Sequence, residues 1–167
     1  LVGYGAVGSR VARALCAFGA QVMVHDPYVR GEIHGLRVSS LDELLRRSRV
    51  ITLHARLTPE TRGLLGAREL ALLPAGSVVV NAARGPLLDE DALCDALESG
   101  RLSAAALDTY EREPVPADSR LFALRDRLVM TPHLGGASRA VAEKAARIAA
   151  GEVGRWARGE TLAHCLT

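Results

Sequence analysis

The sequence predicts an α/β chain folded as a doubly wound parallel sheet, and three observations carry that prediction. The chain opens on an apolar dipeptide that runs into Gly3-Tyr4-Gly5-Ala6-Val7-Gly8, a Gly-x-Gly-x-x-Gly turn leading into a helix. Strand-like apolar runs then alternate with helix-like segments to the end, joined by short links, which is the pattern of parallel strands connected through crossover helices. The second apolar run ends on an acid, Asp26, 18 positions past the last glycine of the turn.

The first strand retains only Leu1-Val2 ahead of the turn, whereas a parallel strand usually takes about five residues. Because the chain also starts on Leu rather than Met, the expectation is a Rossmann-type sheet truncated at its first strand. It would form one dinucleotide-binding domain over residues 1–167, cut from a longer protein. A helix over 9–18 and a turn at Gly19-Ala20 lead to the second strand, 21–26, which Pro27-Tyr28 breaks. Residues 30–38 read as a polar connection. A short helix starts at Ser39-Ser40, with a serine cap and with Asp42 and Glu43 placed to complement its dipole.

The third strand, 50–54, exits into a polar loop over 55–61 at the carboxyl edge, where ligands of such sheets bind. A helix over 67–73 stops at Pro74 and Gly76, and the nearly all-apolar strand 77–81 is expected to be buried on both faces. An acid-led helix over 89–99 ends at Gly100, and a strand of small residues spans 103–108. Pro114 and Pro116 mark a loop, and the last strand, 127–130, exits through Pro132-His133-Leu134-Gly135-Gly136. From 138 to 158 a long helix sets Val141, Ala145, Ile148, Ala149, Val153 and Trp156 on one stripe, read as a core face.

Composition excludes several classes of partner. With a net charge of +2, dispersed arginines and only 4% aromatic residues, the chain has neither a basic stripe nor a stacking platform, so no nucleic-acid partner is expected. No apolar run nears the roughly 18 residues of a membrane span and no signal peptide is visible, so neither is a membrane. Cys16, Cys94 and Cys165 are odd in number and form no Cys-x-x-Cys pair. They fit small side chains in a reducing cytoplasm, not a metal site or a nucleophile.

The glycine turn has a physical reading. Gly3 allows the tight turn, Gly5 lets a pyrophosphate approach the backbone, and Gly8 lets the helix pack close to the strand. The helix start offers unpaired N–H groups and the positive end of its dipole to the phosphates. Asp26 stands close to the offset, roughly 20 residues, at which an acid receives the adenosine ribose hydroxyls. An acid there repels a 2′-phosphate, which favours NAD over NADP, while Arg30 is a nearby counter-charge. Further on, Arg84, the pair Asp108 and Glu113, and His133 follow successive strands, on the edge where the cofactor should lie.

Six ordered stretches then define a resemblance: the glycine turn, His25-Asp26-Pro27-Tyr28, Leu57-Thr58-Pro59-Glu60-Thr61, Asn81-Ala82-Ala83-Arg84-Gly85, the run from Leu107-Asp108 to Glu113-Pro114, and Thr131-Pro132-His133-Leu134-Gly135-Gly136. Over essentially its whole length the chain resembles the nucleotide-binding domain of the D-isomer-specific 2-hydroxyacid dehydrogenases, which include phosphoglycerate, glycerate, D-lactate and formate dehydrogenases. The resemblance implies NAD as the carrier of a hydride and a small 2-keto or 2-hydroxy acid as substrate. It makes Arg84, Glu113 and His133 the catalytic trio. Protonated His133 would act as general acid toward the carbonyl oxygen, and its neutral ring as base in the reverse direction. Glu113 would favour the charged ring and fix its tautomer, and Arg84 would hold the substrate carboxylate.

For the cofactor, the resemblance implies Gly3, Gly5, Ala6 and Val7 at the pyrophosphate and Asp26 at the adenosine ribose. Pro27, the loop residues Ala55, Arg56 and Thr61, the turn Ala82-Ala83-Arg84, and Asp108, His133 and Gly136 complete the set. His54 is a cofactor-edge residue at most. Two positions depart from the family pattern: Ala6 stands where an Arg is frequent, and Arg56 where a Pro is common. The family's substrate domain is absent from this chain, so the isolated chain is expected to bind NAD but turn over slowly or not at all. A homodimer in the full-length protein and a cytoplasmic location are expected. An alternative on the same fold is an NAD(H)-sensing corepressor-like interaction protein; Gly135-Gly136 after the histidine looks more like the enzymes.

Overall fold

The structure is a computed structural model that describes residues 1–38 and 40–164. Ser39 and Cys165 therefore lie outside the described residues. The chain packs as two compact units, Leu1–Pro132 and His133–Thr167.

In the first unit the strands β1 (Met23–Val24), β2 (Leu36–Arg37), β3 (Val50–Leu53), β4 (Ser77–Asn81), β5 (Leu102–Leu107) and β6 (Leu128–Met130) all pair in parallel. They form a β1-β2 pair and a four-stranded β3-β4-β5-β6 sheet. The residues at the start of the chain join the two. Val2 bridges His25 on one side and Leu53 on the other. Gly3 N–H donates to His25 O (2.9 Å), and Val2 N–H donates to Thr52 O (3.0 Å). The spatial order is thus β2, β1, Leu1–Gly3, β3, β4, β5, β6. Chain direction across the sheet reverses between Gly3 and β3, and such a switch point is where open parallel sheets bind ligands.

Alternation sends Leu1 and Val2 to opposite faces of the sheet. Leu1 packs with Ala12 of the helix α1 (Gly8–Ala17) and with Val24. Val2 joins the larger core with α2 (Leu41–Arg47), α3 (Ala67–Leu72) and α4 (Glu90–Glu98). Across that core the row Ile51, Val79, Ala105, Leu128 runs in register through the four strands, and every member is buried. The next row, Thr52, Val80, Ala106 and Val129, points to the other face and is half-buried, rising to 65% exposure at Val129. The expectation that the strand 77–81 is covered on both faces is therefore not met. Its apolar character reports that it is central, while helices α2 to α4 of this unit all pack on one face.

Two other readings change. Residues 36–37, read as part of a polar connection, form β2, fixed by Leu36 N–H to Val22 O (2.8 Å) and Val38 N–H to Val24 O (2.9 Å). Both residues are exposed, so no alternation marks them. In the second unit α5 (Arg139–Ala157) forms where the periodicity places it, yet none of its residues is buried. The stripe is exposed, with Val153 at 64% and Trp156 at 74%. Periodicity identifies the apolar side of a helix without identifying its cover. Side-chain oxygens cap the starts of α2 (Ser40), α4 (Asp89) and α5 (Ser138).

The core row and the open face make opposite predictions. Leu97→Ala, at a fully buried α4 position, should cost about 2–5 kcal/mol in urea unfolding. Val129→Ala, on the exposed row, should stay within about 0.5 kcal/mol.

Candidate functional site

At the switch point three segments converge by backbone contact. A Cβ at Gly3, whose φ is +89°, would lie 2.6 Å from Ala55 N, and one at Gly8 would lie 2.2 Å from Gly3 O and 3.2 Å from His54 Cβ. Glycine is required at both positions by the protein itself. Gly5 differs: its φ is not positive, and a Cβ there would meet nothing within 4 Å. Gly5, Ala6 and Val7 are exposed, and no side chain caps the start of α1. Orphan N–H groups at a helix start bordered by open space are what an anionic linkage such as a pyrophosphate fits.

Asp26 ties this turn to the end of β1. Its Oδ2 accepts from Tyr4 N–H (2.7 Å), and its Oδ1 accepts from Tyr28 N–H (2.8 Å) and Val29 N–H (3.2 Å). An ionised carboxylate has about four acceptor positions, so one on Oδ2 remains for a hydroxyl. Asp26, Pro27, Tyr28, Ala55, Arg56 and Thr61 line a cavity of about 620 Å³, together with His25 and Glu60, which the sequence reading did not single out. A hydrogen bond from Thr58 holds Glu60 below the usual carboxylate range, so it is a second negative charge there. Thr61 shapes the loop: its Oγ1 accepts from Thr58 N–H (2.8 Å) and donates to Arg56 O (2.7 Å).

A second cavity, about 290 Å³, adjoins the turn and is lined by Gly5, Ala6, Val7, Ala82, Ala83 and Arg84, with residues 54–57. Gly5, His54, Ala55 and Arg56 border both cavities. His54 is half-buried, with Nε2 2.9 Å from Thr52 Oγ1. Burial holds its pKa below 6.5, toward the neutral ring.

Arg84 follows β4 in a turn built by Asn81, a residue that carried no role in the sequence reading. Asn81 is buried; its Nδ2 donates to Arg84 O (2.9 Å), and its Oδ1 accepts from Ala83 N–H (3.1 Å). Arg84 itself is exposed. The next residue, Gly85, abuts the following loop so closely that a Cβ would lie 1.9 Å from Tyr110 C and O. Tyr110 N–H in turn donates to Glu113 Oε1 (3.0 Å). The structure thus brings the segments carrying Arg84 and Glu113 together. Asp108, buried at the end of β5, accepts from Thr131 Oγ1, and its N–H donates to Asn81 O (2.9 Å).

His133 opens the second unit, exposed and with φ 55°, the left-handed region uncommon for a residue with a side chain. Gly136, also exposed, follows in the same unit. Among the described residues no group of His, Cys, Asp or Glu could hold a metal ion, and no helix is long and apolar enough to cross a membrane. Cys94 is buried, which pushes its thiol up and away from the reactive thiolate.

A parallel sheet with an uncapped glycine-turn helix, an acid on the following strand and two adjoining cavities at the switch point defines a dinucleotide-binding domain. The family model described as "D-isomer specific 2-hydroxyacid dehydrogenase, NAD binding domain" matches residues 1–135, and the chain belongs to that family. D-3-phosphoglycerate dehydrogenase of Methanocaldococcus jannaschii is 39% identical over 164 residues, which are 96% of this chain and 31% of that protein. D-lactate dehydrogenase of Lactobacillus jensenii, solved with NAD+, superposes with a TM-score of 0.91 at 28% identity, over 99% of this chain and 54% of the other. A D-isomer specific 2-hydroxyacid dehydrogenase from Xanthobacter autotrophicus Py2, solved with NADPH and MES, superposes at 0.88 with 36% identity, over 99% of this chain and 69% of the other. The chain spans about one third of the curated relative's length.

Two measurements follow from this geometry. Gly5→Ala should leave unfolding stability within about 0.5 kcal/mol yet weaken NADH binding at least 10-fold, whereas Gly8→Ala should cost more than about 2 kcal/mol of stability by forcing backbone apart. For His54 the folded ring resists protonation, so above pH 6.5 it makes stability neither rise nor fall. As pH drops below 6.5 the unfolded chain takes the proton first and stability is lost. Replacing the ring in His54→Gln should therefore flatten the fall in Tm between roughly pH 7 and pH 5.

Proposed function

We propose that this chain is the cofactor-binding and catalytic part of an NAD-dependent oxidoreductase that interconverts a small D-2-hydroxy acid and its 2-keto acid. The observation that carries the proposal is the backbone contact of Gly85 with Tyr110. It sets the Arg84 turn, which lines the second cavity, against the loop whose Tyr110 N–H holds Glu113.

NAD(H), when bound, supplies or accepts the hydride. The turn amides of Gly5, Ala6 and Val7 would hold its pyrophosphate, Asp26 and Pro27 its adenosine ribose, and Ala55, Arg56 and Thr61 would form the adjoining loop side. Ala82, Ala83, Asp108 and Gly136 would serve the nicotinamide end. Arg84 pairs with the substrate carboxylate through its planar, permanently charged fork and polarises the carbonyl. His133 holds a proton on its ring and gives it to the carbonyl oxygen as negative charge builds there, and takes it back in oxidation. Glu113 orients the ring and fixes its tautomer. The carboxylates of Asp26 and Glu60 in the adenosine cavity disfavour a 2′-phosphate, which supports NAD over NADP. We further propose that the full-length protein is a cytoplasmic homodimer.

In the full-length protein, His133→Ala should lower kcat by 10²- to 10⁴-fold while NADH affinity stays within a few-fold. Glu113→Gln should lower kcat at least 10-fold while NADH affinity stays within a few-fold. If NADH oxidation with a panel of 2-keto acids survives His133→Ala within a few-fold, the acid/base assignment is wrong.

A further inference from the structure

A pyrophosphate in this crevice carries two negative charges, and the residues of the turn beneath it, Gly3 to Ser9, offer amides but no basic side chain. Arg10, the first basic residue after it, donates a guanidinium N–H to Ala6 O of the turn. A second cation can come from the opposite wall, where the exit of β3 touches the turn. The residues bordering both cavities are Gly5, His54, Ala55 and Arg56, so this is the throat between the adenosine side and the Arg84 side. His54 is pushed toward its neutral form and supplies no charge. Arg56 is exposed, and among the described residues its guanidinium makes no hydrogen bond or ion pair. Its backbone is fixed by Thr61 Oγ1 donating to its carbonyl, and the preceding Ala55 N lies 2.6 Å from a Cβ built on Gly3. A charged side chain is thus held at the throat on a defined backbone, in no ion pair among the described residues.

We propose that Arg56 clamps the dinucleotide's pyrophosphate from the β3 side, so that the diphosphate is held between the bare amides of the glycine turn and one guanidinium across the crevice. This rests on the cofactor reading above and adds a residue-specific source of charge. The fork of the guanidinium suits two phosphate oxygens at once, and because Arg56 is exposed its contribution is screened by salt.

The test is a set of titrations on the 167-residue chain and its Arg56→Ala variant, which leaves the Thr61 to Arg56 carbonyl bond intact. NADH is followed by its own fluorescence, and ADP-ribose, adenosine and NADPH by competition. The expected result is a 10- to 100-fold loss of NADH and ADP-ribose affinity, the range of one charge-assisted hydrogen bond. Adenosine should change less than two-fold, and the NADH difference should shrink at 0.5 M salt. NADH affinity within two-fold of the parent overturns the inference while leaving the dinucleotide site standing. Equal losses for adenosine and ADP-ribose would make Arg56 a support of the loop. A loss confined to NADPH would make it a reader of the 2′-phosphate, and either outcome overturns the clamp. A parent chain that fails to bind NADH refutes the cofactor reading itself and the clamp with it.

Discussion

The backbone at the exit of β3 presses directly on the glycine turn, and most of what surrounds the crevice follows from that contact. Ala55 N approaches the α-carbon of Gly3 from the side a Cβ would occupy, and Gly8 packs on Gly3 O. With no side chain admitted between these segments, the turn stays tight, and α1 starts where its first N–H groups border open space rather than protein. The hydrogen bonds of Leu1–Gly3 to both His25 and residues 52–54 hold the two halves of the sheet in register around this point. Asp26 adds the third tie: one carboxylate accepts amides from the turn and from the loop after β1.

The far side of the crevice uses the same device with different chemistry. Asn81 satisfies backbone groups inside the turn after β4, so the turn needs no further cover to be stable, and Arg84 is left exposed at its end. Gly85 then admits the Tyr110 backbone, whose N–H fixes Glu113. Buried amides and a glycine set the position of two exposed charges. Arg84 and Glu113 are carried by rigid neighbours rather than by their own packing, which is how a charged group is held in place without being desolvated.

The sequence made legible those parts of the molecule in which one residue type is forced by backbone. The glycine turn, the acid closing the second strand and the alternation of strands and helices all correspond to structural requirements of that kind. What it concealed was decided by pairing or by cover. β2 consists of two exposed residues whose strand character comes from β1, and no local pattern records a partner. The stripe of α5 and the apolar run of β4 correctly mark faces, but the amount of burial depends on what lies opposite. Asn81, an amide ending an otherwise apolar strand, is itself a signal that buried backbone needs a partner there. Glu60 sat unnoticed in a loop because only the fold brings it into the cavity of Asp26.

Charge along the crevice changes sign from end to end, and this has a consequence for how a dinucleotide lies in it. The larger cavity carries Asp26 and Glu60, while the throat and the smaller cavity carry Arg56 and Arg84. Hydroxyl-bearing ribose can donate to carboxylates, whereas phosphate and carboxylate groups are acceptors only and are repelled by them. The proposed cofactor site therefore sets an adenosine end with free hydroxyls beside Asp26 and anionic groups from Arg56 onward. A neutral His54 between the two ends keeps the step sharp, since a positive ring there would extend the cationic stretch into the adenosine side. The burial that holds His54 neutral is imposed by the same close packing of β3 on the glycine turn, so backbone geometry and the electrostatic polarity of the crevice have one origin.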